Sequence, residues 1–417
     1  MSDGKENVVR LGFIGVGGRG QGLLEVCLEQ KNVSVPAVCD LSSENRKKAQ
    51  DIVEVSLGER PESYEEYMEL LDRGDIDGVI VATGWVPHLK ISMEAMKRGI
   101  YAAPEVGPAS SLEECWQLIR TFEETGTPCM MLENYCFQRH AMALLNMVKQ
   151  ELFGEVVHCE CGYQHELRER LVLGKGTGPR KKGEGDYRTV QNLKRNADIY
   201  PTHGIGPMAK ILDINKGNRF LTLTSMASKA RSLREWVEDN LEDDHPAAEK
   251  DWALGDMITT VIKCYNGETV IVKHTCSLPC PMSRGGRVQG TKGLWMEDNN
   301  SIHIDGRSPE HEWEPFDEYQ SEYEHPVWEE YLEEGVKEGH GGGDHLILNA
   351  FVESVRKGTS TPIDAYDTAT WMAIAPLSER SIALGSAPVF FPDFTSGGWL
   401  TEKPGKISYK SSEAGPF

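Results

Sequence analysis

Several absences narrow the field before any motif is read. No run of about 18 apolar residues occurs, so the sequence offers no membrane-spanning helix. Positive charge is scarce: 44 Lys and Arg stand against 65 Asp and Glu, a net charge of −21. So acidic a chain repels polyanions unless a local basic patch overrides the mean. That argues against a nucleic-acid partner and against docking on anionic lipid. Paired zinc-ligand spacing is also lacking. Ten cysteines are scattered through 417 residues, and the close pairs Cys159/Cys161 and Cys276/Cys280 do not supply it. No metal is expected; reduced thiols in a cytoplasmic protein are. The opening stretch, MSDGKENVVRLGFIG, has no charged leader followed by an apolar segment, in keeping with that location. No internal repeat is found.

What is present suits a large folded enzyme. At roughly 150 residues per domain, two domains are expected, and 39% apolar residues supply a core. The first third alternates strand and helix signals: strands at Val8–Gly15, Val33–Cys39, Val79–Ala82, Ile100–Ala103 and Pro128–Leu132, and helices at Gln21–Gln30, Ser43–Ser56, Pro87–Arg98 and Ser111–Thr125. Gly99 and Gly126 read as helix stops. Such units imply a parallel sheet covered on both faces. Past residue 135 the pattern changes to longer alternating runs, Gly154–Tyr163, Thr222–Ala227, Met257–Tyr265 and Thr269–Thr275, with an Asn266-Gly267 hairpin signal between the last two. The expected fold is α/β: a doubly wound parallel nucleotide domain over 1–135, then an α+β domain with a largely antiparallel open sheet over 136–417. Residues 170–186, rich in Gly and Lys, read as a surface loop. The aromatics of the acidic stretch 309–338 read as packing or interface residues.

Gly15-Val16-Gly17-Gly18-Arg19-Gly20 matches G-x-G-x-x-G. It follows an apolar strand, opens a helix, and has an acid, Asp40, 20 residues past its last glycine. Gly15 allows a tight turn, Gly17 a close approach of backbone to pyrophosphate, and Gly20 contact of helix with strand. The helix N-terminus offers N–H groups to the phosphates. A carboxylate at Asp40 accepts both ribose hydroxyls and repels a 2′-phosphate, which favours NAD over NADP. Trp85 and His88 follow the strand Val79–Ala82, and Glu105 and Asn134 end the next two. All lie on the edge where doubly wound sheets bind ligands.

Seven further segments carry a resemblance: ATGWVPH (82–88), PEVGPASSLEECW (104–116), CMMLENYCFQR (129–139), LFGEVVHCECGYQHELR (152–168), YPTHGIGP (200–207), RVQGTKG (287–293) and GHGGGD (339–344). The chain resembles the Gfo/Idh/MocA oxidoreductase superfamily and, within it, glycoside hydrolase family 109, the NAD-dependent α-N-acetylgalactosaminidases. Two departures stand out. Dehydrogenases of the superfamily carry Glu-Lys-Pro after the fifth strand, whereas this chain has Glu105-Val106-Gly107, which fits the glycosidase branch. Met282 stands where glycosidase relatives place a substrate-contacting tyrosine, and Met cannot donate that hydrogen bond.

The resemblance implies a glycosidase that borrows a hydride from carbon 3 of a sugar, eliminates the group on carbon 1, adds water and returns the hydride. It would lie outside the usual two-carboxylate scheme. His203 suits acid/base work near neutral pH, with Tyr200 as its partner toward sugar and nicotinamide. Pro201 and Gly204 shape their turn. By resemblance Tyr163, Arg188, Pro201, Thr202 and Met282 join Tyr200 and His203 around a small glycoside, and Val106 joins the cofactor set. Superfamily members often pair open sheet faces as dimers. Three rival readings stay open: a sugar or inositol dehydrogenase with net NADH output, a lyase that stops after elimination, and a non-catalytic sensor of NAD and sugar.

Overall fold

In a computed structural model, residues 8–174, 186–335 and 340–401 are described. The first sheet is parallel, with strands β1 (Val9–Ile14), β2 (Val33–Cys39), β3 (Glu62–Tyr64), β4 (Gly78–Val81) and β5 (Tyr101–Pro104) in the order β3-β2-β1-β4-β5. β1 lies at the centre and β4 beside it; both are covered on two faces, so β4 reads as an unbroken apolar run and β1 departs from one only at exposed Arg10. Helix boundaries follow local chemistry. Ser111 Oγ accepts the N–H of Glu114 at 3.2 Å to open the helix Leu112–Thr125, and Gly126 in the left-handed region ends it. The first helix, Gly18–Leu28, begins three residues before the expected Gln21, because the glycine motif itself forms its first turn.

The second sheet has nine strands: β6 (Val156–Gln164), β7 (Phe220–Ala227), β8 (Ile258–Cys264), β9 (Thr269–Thr275), β10 (Arg287–Gly290), β11 (Gly293–Met296), β12 (Ser301–Ile304), β13 (Glu314–Pro315) and β14 (Val389–Phe390). Their order is β13-β12-β11-β10-β6-β9-β8-β7-β14. Every pairing is antiparallel except β6 with β9, which is parallel and sets Tyr163 beside His274. The β8–β9 hairpin turns at Asn266-Gly267 as expected. One face is covered by helices, among them Thr202–Ile211. The other leaves Met226, Val261 and Phe390 exposed. The aromatics of 309–338 are mostly core: Phe316, Tyr319, Trp328 and Tyr331 are buried, while Trp313 is exposed.

Two expectations change. The segment 128–132 is not a full strand. It runs beside β5 through Ala102 N–H to Pro128 O, Met130 N–H to Ala102 O and Leu132 N–H to Pro104 O, but only Cys129 pairs with Ala102 as a bridge before the chain turns into the short helix Asn134–Phe137. The loop expected over 170–186 is partly helical. Arg168–Leu173 and Tyr187–Lys194 are helices, the second capped by Asp186; 175–185 lie outside the described residues.

Between β13 and β14 the chain returns to the first sheet. Within Gly343–Lys357 and Ala365–Met372, His345 O accepts from Gln30 Nε2 (3.2 Å), Thr368 Oγ1 from the N–H of Met131 (3.2 Å) and Met372 O from the N–H of Ala109 (3.3 Å). Residues well past the division expected at 135/136 therefore lie against the nucleotide sheet. All ten cysteines are free thiols; nine are buried and Cys280 is half-exposed.

Candidate active site

The glycine turn has the form a dinucleotide requires. Gly15 has φ +86°, and a Cβ there would lie 2.6 Å from Thr83 N; a Cβ on Gly20 would lie 2.0 Å from Gly15 O. Neither position admits another residue. Gly17 is the N-cap of the helix Gly18–Leu28, whose first turn carries no acid to compete with a phosphate. Asp40 stands just past β2. Its Oδ2 accepts the N–H of Val16 (2.9 Å), and its Oδ1 accepts from Ser42 N (2.8 Å) and Asn45 Nδ2 (3.3 Å), which fixes the carboxylate beside the turn. These residues fit NAD.

The other expected cofactor residues fall along the same edge. His88 opens the helix His88–Met96. It is buried, its Nε2 lies 3.0 Å from Thr83 O, and burial pushes its pKa down. Glu105 follows β5, where its Oε2 accepts the N–H of Val106 at 3.0 Å. Val106 is buried and supplies no amine. Gly107 supports Trp85: a Cβ there would lie 2.5 Å from the indole Cδ1. Arg19 does not offer a free guanidinium to phosphate. Its Nε donates to Glu105 (2.6 Å), and its Nη1 and Nη2 donate to Asp344 (2.6 and 2.9 Å). Asn134 Nδ2 likewise donates to Asp344, at 2.7 Å. Among the described residues, no group of three or more His, Cys, Asp or Glu is arranged to hold a metal; His340 instead binds Asp344 at 2.6 Å.

Tyr200 and His203 meet as the sequence suggested, with Tyr200 Oη 3.1 Å from His203 Nε2. Pro201 is the N-cap of the helix Thr202–Ile211, Thr202 is its first residue, and His203 sits in its first turn. Gly204 lets that helix touch β6, since a Cβ there would lie 2.4 Å from Gly162 N; this lowers His203 onto Tyr163. The other imidazole nitrogen, Nδ1, is 2.6 Å from Oε1 of Glu133, which is fully buried. A carboxylate on Nδ1 fixes the tautomer that leaves Nε2 to exchange a proton with the phenol. Tyr200 stacks on Trp85 at 5.1 Å and meets Tyr163 edge-on at 4.4 Å. Burial raises the pKa of both tyrosines, and Arg188 opposes that rise.

Arg188 lies on the helix Tyr187–Lys194 rather than in an exposed loop, and it is buried. Its guanidinium carbon is 4.6 Å from the Tyr200 ring centroid and 4.9 Å from that of Trp85. Arg284 lies 4.1 Å from Tyr135 and 4.6 Å from Tyr163, the two rings that flank His203 at 5.1 and 5.9 Å. Behind His203 a cavity of about 20 Å³ is lined by Tyr135, His140, Leu144, Arg284 and Trp295. That is room for about one water. Tyr163 and Arg188 are buried, whereas Met282 is 58% exposed and, among the described residues, makes no hydrogen bond or ring contact to the cluster. Buried Asp198 receives the N–H of Tyr200 at 3.4 Å, and burial lifts its pKa to about 7. His274, beside Tyr163, is pushed down to about 3 by burial.

The structure adds Glu133, Tyr135, Asp198 and Arg284 to the residues expected from sequence. Glu133 precedes Asn134 in LENY, but a contact across 70 positions leaves no local trace. Arg284 is two positions past Met282, and only its burial against two rings marks it.

With this geometry in place, comparison with known proteins gives a consistent picture. Residues 137–401 match the model described as the C-terminal domain of glycosyl hydrolase 109, and residues 9–133 match the oxidoreductase family's NAD-binding Rossmann fold. A glycosyl hydrolase family 109 protein of Stenotrophomonas maltophilia (strain K279a) is 44% identical over 413 residues, covering 95% of this chain and 91% of that protein. The alpha-N-acetylgalactosaminidase of Tannerella forsythia is 42% identical over 416 residues, covering 96% and 89%. Among solved structures, levoglucosan dehydrogenase in complex with NADH superposes with a TM-score of 0.67 at 15% identity, over 93% of this chain and 100% of that one. An inositol dehydrogenase homolog with NAD+ from Azotobacter vinelandii gives 0.65 at 16% identity, over 92% and 98%. At such identities the likeness is one of fold alone. The sequence matches go further, and the chain belongs to glycoside hydrolase family 109.

Proposed function

We propose that the protein is an NAD-dependent α-N-acetylgalactosaminidase. One observation carries the reading: the hydrogen-bonded series Tyr200–His203–Glu133 lies beside the glycine-turn edge, at the end of β6 that carries Tyr163. Gly15, Gly17, Gly18, Gly20 and Asp40 would hold the cofactor, with Trp85, His88, Glu105, Val106 and Asn134 around its nicotinamide end. Bound NAD would supply transient oxidation at sugar carbon 3, which acidifies the hydrogen on carbon 2 and is reversed after water adds to carbon 1.

The chain's own residues handle the protons. Tyr200 Oη receives the proton of the carbon 3 hydroxyl while passing its own to His203 Nε2. Glu133 stabilises the imidazolium that results, and Arg188 offsets negative charge developing on Tyr200. Tyr163 and Arg188 orient the ring. Met282 gives the site an apolar lip where a tyrosine hydroxyl would otherwise recognise the sugar. Pairing through the face that carries Met226, Val261 and Phe390 accounts for their exposure, and sedimentation of the full chain tests it.

The deciding experiment is a panel of chromogenic glycosides assayed with protein stripped of NAD and then resupplied. Cleavage is expected only with NAD and without net NADH. Equal cleavage without cofactor refutes the mechanism, and NADH rising in step with substrate loss makes the protein a dehydrogenase instead.

A further inference from the structure

The contacts of the stretch from His340 to Asp344 lead back to the glycine turn. Asp344 opens the helix Gly343–Lys357 and takes three partners: both Nη atoms of Arg19, Nδ2 of Asn134 and Nδ1 of His340. Arg19 is in the first turn of the helix whose N-cap is Gly17, so it belongs to the phosphate turn itself. Its third contact, Nε to Glu105, reaches the end of β5. Asn134 lies on the cofactor edge. One buried carboxylate from late in the chain thus holds two walls of the dinucleotide cleft together. Charge-assisted and bidentate bonds of this kind resist opening more than neutral ones do.

We propose that Asp344 is a positioning residue for the cofactor: through Arg19 it ties the phosphate turn to the helix Gly343–Lys357 and slows the release of NAD. The inference rests on the reading above, in which NAD is restored in every turnover and gains nothing by leaving. Release of a ligand seated on such a turn requires the turn to open.

Simple electrostatics predicts the reverse. Neutralising Asp344 removes a negative charge near a pyrophosphate and frees Arg19 to bind it, so release would slow. The sign of the effect therefore separates a clasp from a mere neighbouring charge.

The test uses NAD-loaded full-length protein, freed of excess cofactor, with released NAD reduced and trapped by a second dehydrogenase and its alcohol. Asp344→Asn is expected to release NAD at least tenfold faster than the parent. Gln30→Ala breaks different contacts to the same helix, those to His345 and Asn349, so it is expected to lower the melting temperature without altering release. Unchanged or slower release from Asp344→Asn overturns the proposal. So does equal acceleration by Gln30→Ala, or a parent that loses its NAD on desalting. If Asp344→Asn does not fold, His340→Ala serves, since that side chain is 60% exposed; severalfold faster release is expected, and no change overturns the proposal. Release is read without glycoside. Faster release in a protein that cleaves nothing therefore removes the hydrolase reading alone, and cleavage with unchanged release removes the clasp alone.

Discussion

Replacing Glu133 by Gln probes the series that begins at Tyr200. The amide can still accept from His203 Nδ1, so geometry and tautomer survive while the charge is lost. In the parent the oxygen lies 2.6 Å from the nitrogen, and no water reaches the fully buried carboxylate. An imidazolium and a carboxylate whose charge centres are about 4 Å apart interact by about 4 kcal/mol at an effective dielectric of about 20. Exchange with water reduces this to the roughly 1.5–3 kcal/mol that hydrogen bonds to charged groups contribute. If that energy is felt only when His203 is protonated in the transition state, kcat falls by about 10- to 10²-fold. KM should barely move, because the ground state keeps its hydrogen bond. The assay is hydrolysis of a chromogenic α-N-acetylgalactosaminide, with NAD content measured on the same preparation after acid release. A variant with its full complement of NAD and kcat within about threefold of the parent would refute the role assigned to this carboxylate.

Other outcomes follow from single contacts. Gly107→Ala drives a methyl to 2.5 Å from Trp85 Cδ1 and so disturbs the stack on Tyr200; overpacking of about 1–3 kcal/mol predicts about a tenfold loss of kcat, and a parent-like rate refutes it. Asp198, with a carboxyl near 7 when folded against 3.8 otherwise, favours the folded state at low pH, and that contribution is lost as pH rises through about 7. Urea denaturation should therefore show Asp198→Asn gaining on the parent by about 2–3 kcal/mol between pH 5 and 8, with no trend refuting it. His274 has the opposite sign: its folded pKa near 3 lies below 6.5, so its contribution is present above 6.5 and lost as pH falls. His274→Leu should gain about 2–3 kcal/mol on the parent from pH 6.5 to 4.5, again by urea denaturation, and a constant difference rules this out.

Much of the nucleotide half was legible because its signals are local. A glycine turn, an acid after the second strand and helix-stopping glycines each act within a few residues. Tyr200 and His203 were legible for the same reason, being one helical turn apart. The parallel pairing of β6 with β9 was not, because strand order depends on contacts between segments more than 100 positions apart. β10 to β13 are two to four residues long, too short for alternation to register. Glu133 escaped notice because an acid beside an asparagine in a short apolar segment looks like an ordinary turn; only the helix laid across β6 by Gly204 shows what it faces. Arg19 was legible as part of the motif, but its true partner, Asp344, is 325 positions away.

The seclusion of the thiols has a practical side. Nine of the ten are out of reach of solvent, and burial keeps those of Cys27, Cys39, Cys115, Cys129, Cys159, Cys264 and Cys276 protonated well past neutral pH. A maleimide dye given to the native protein therefore has a single place to attach, Cys280. A fluorophore there would label the protein at one defined position without any engineered substitution.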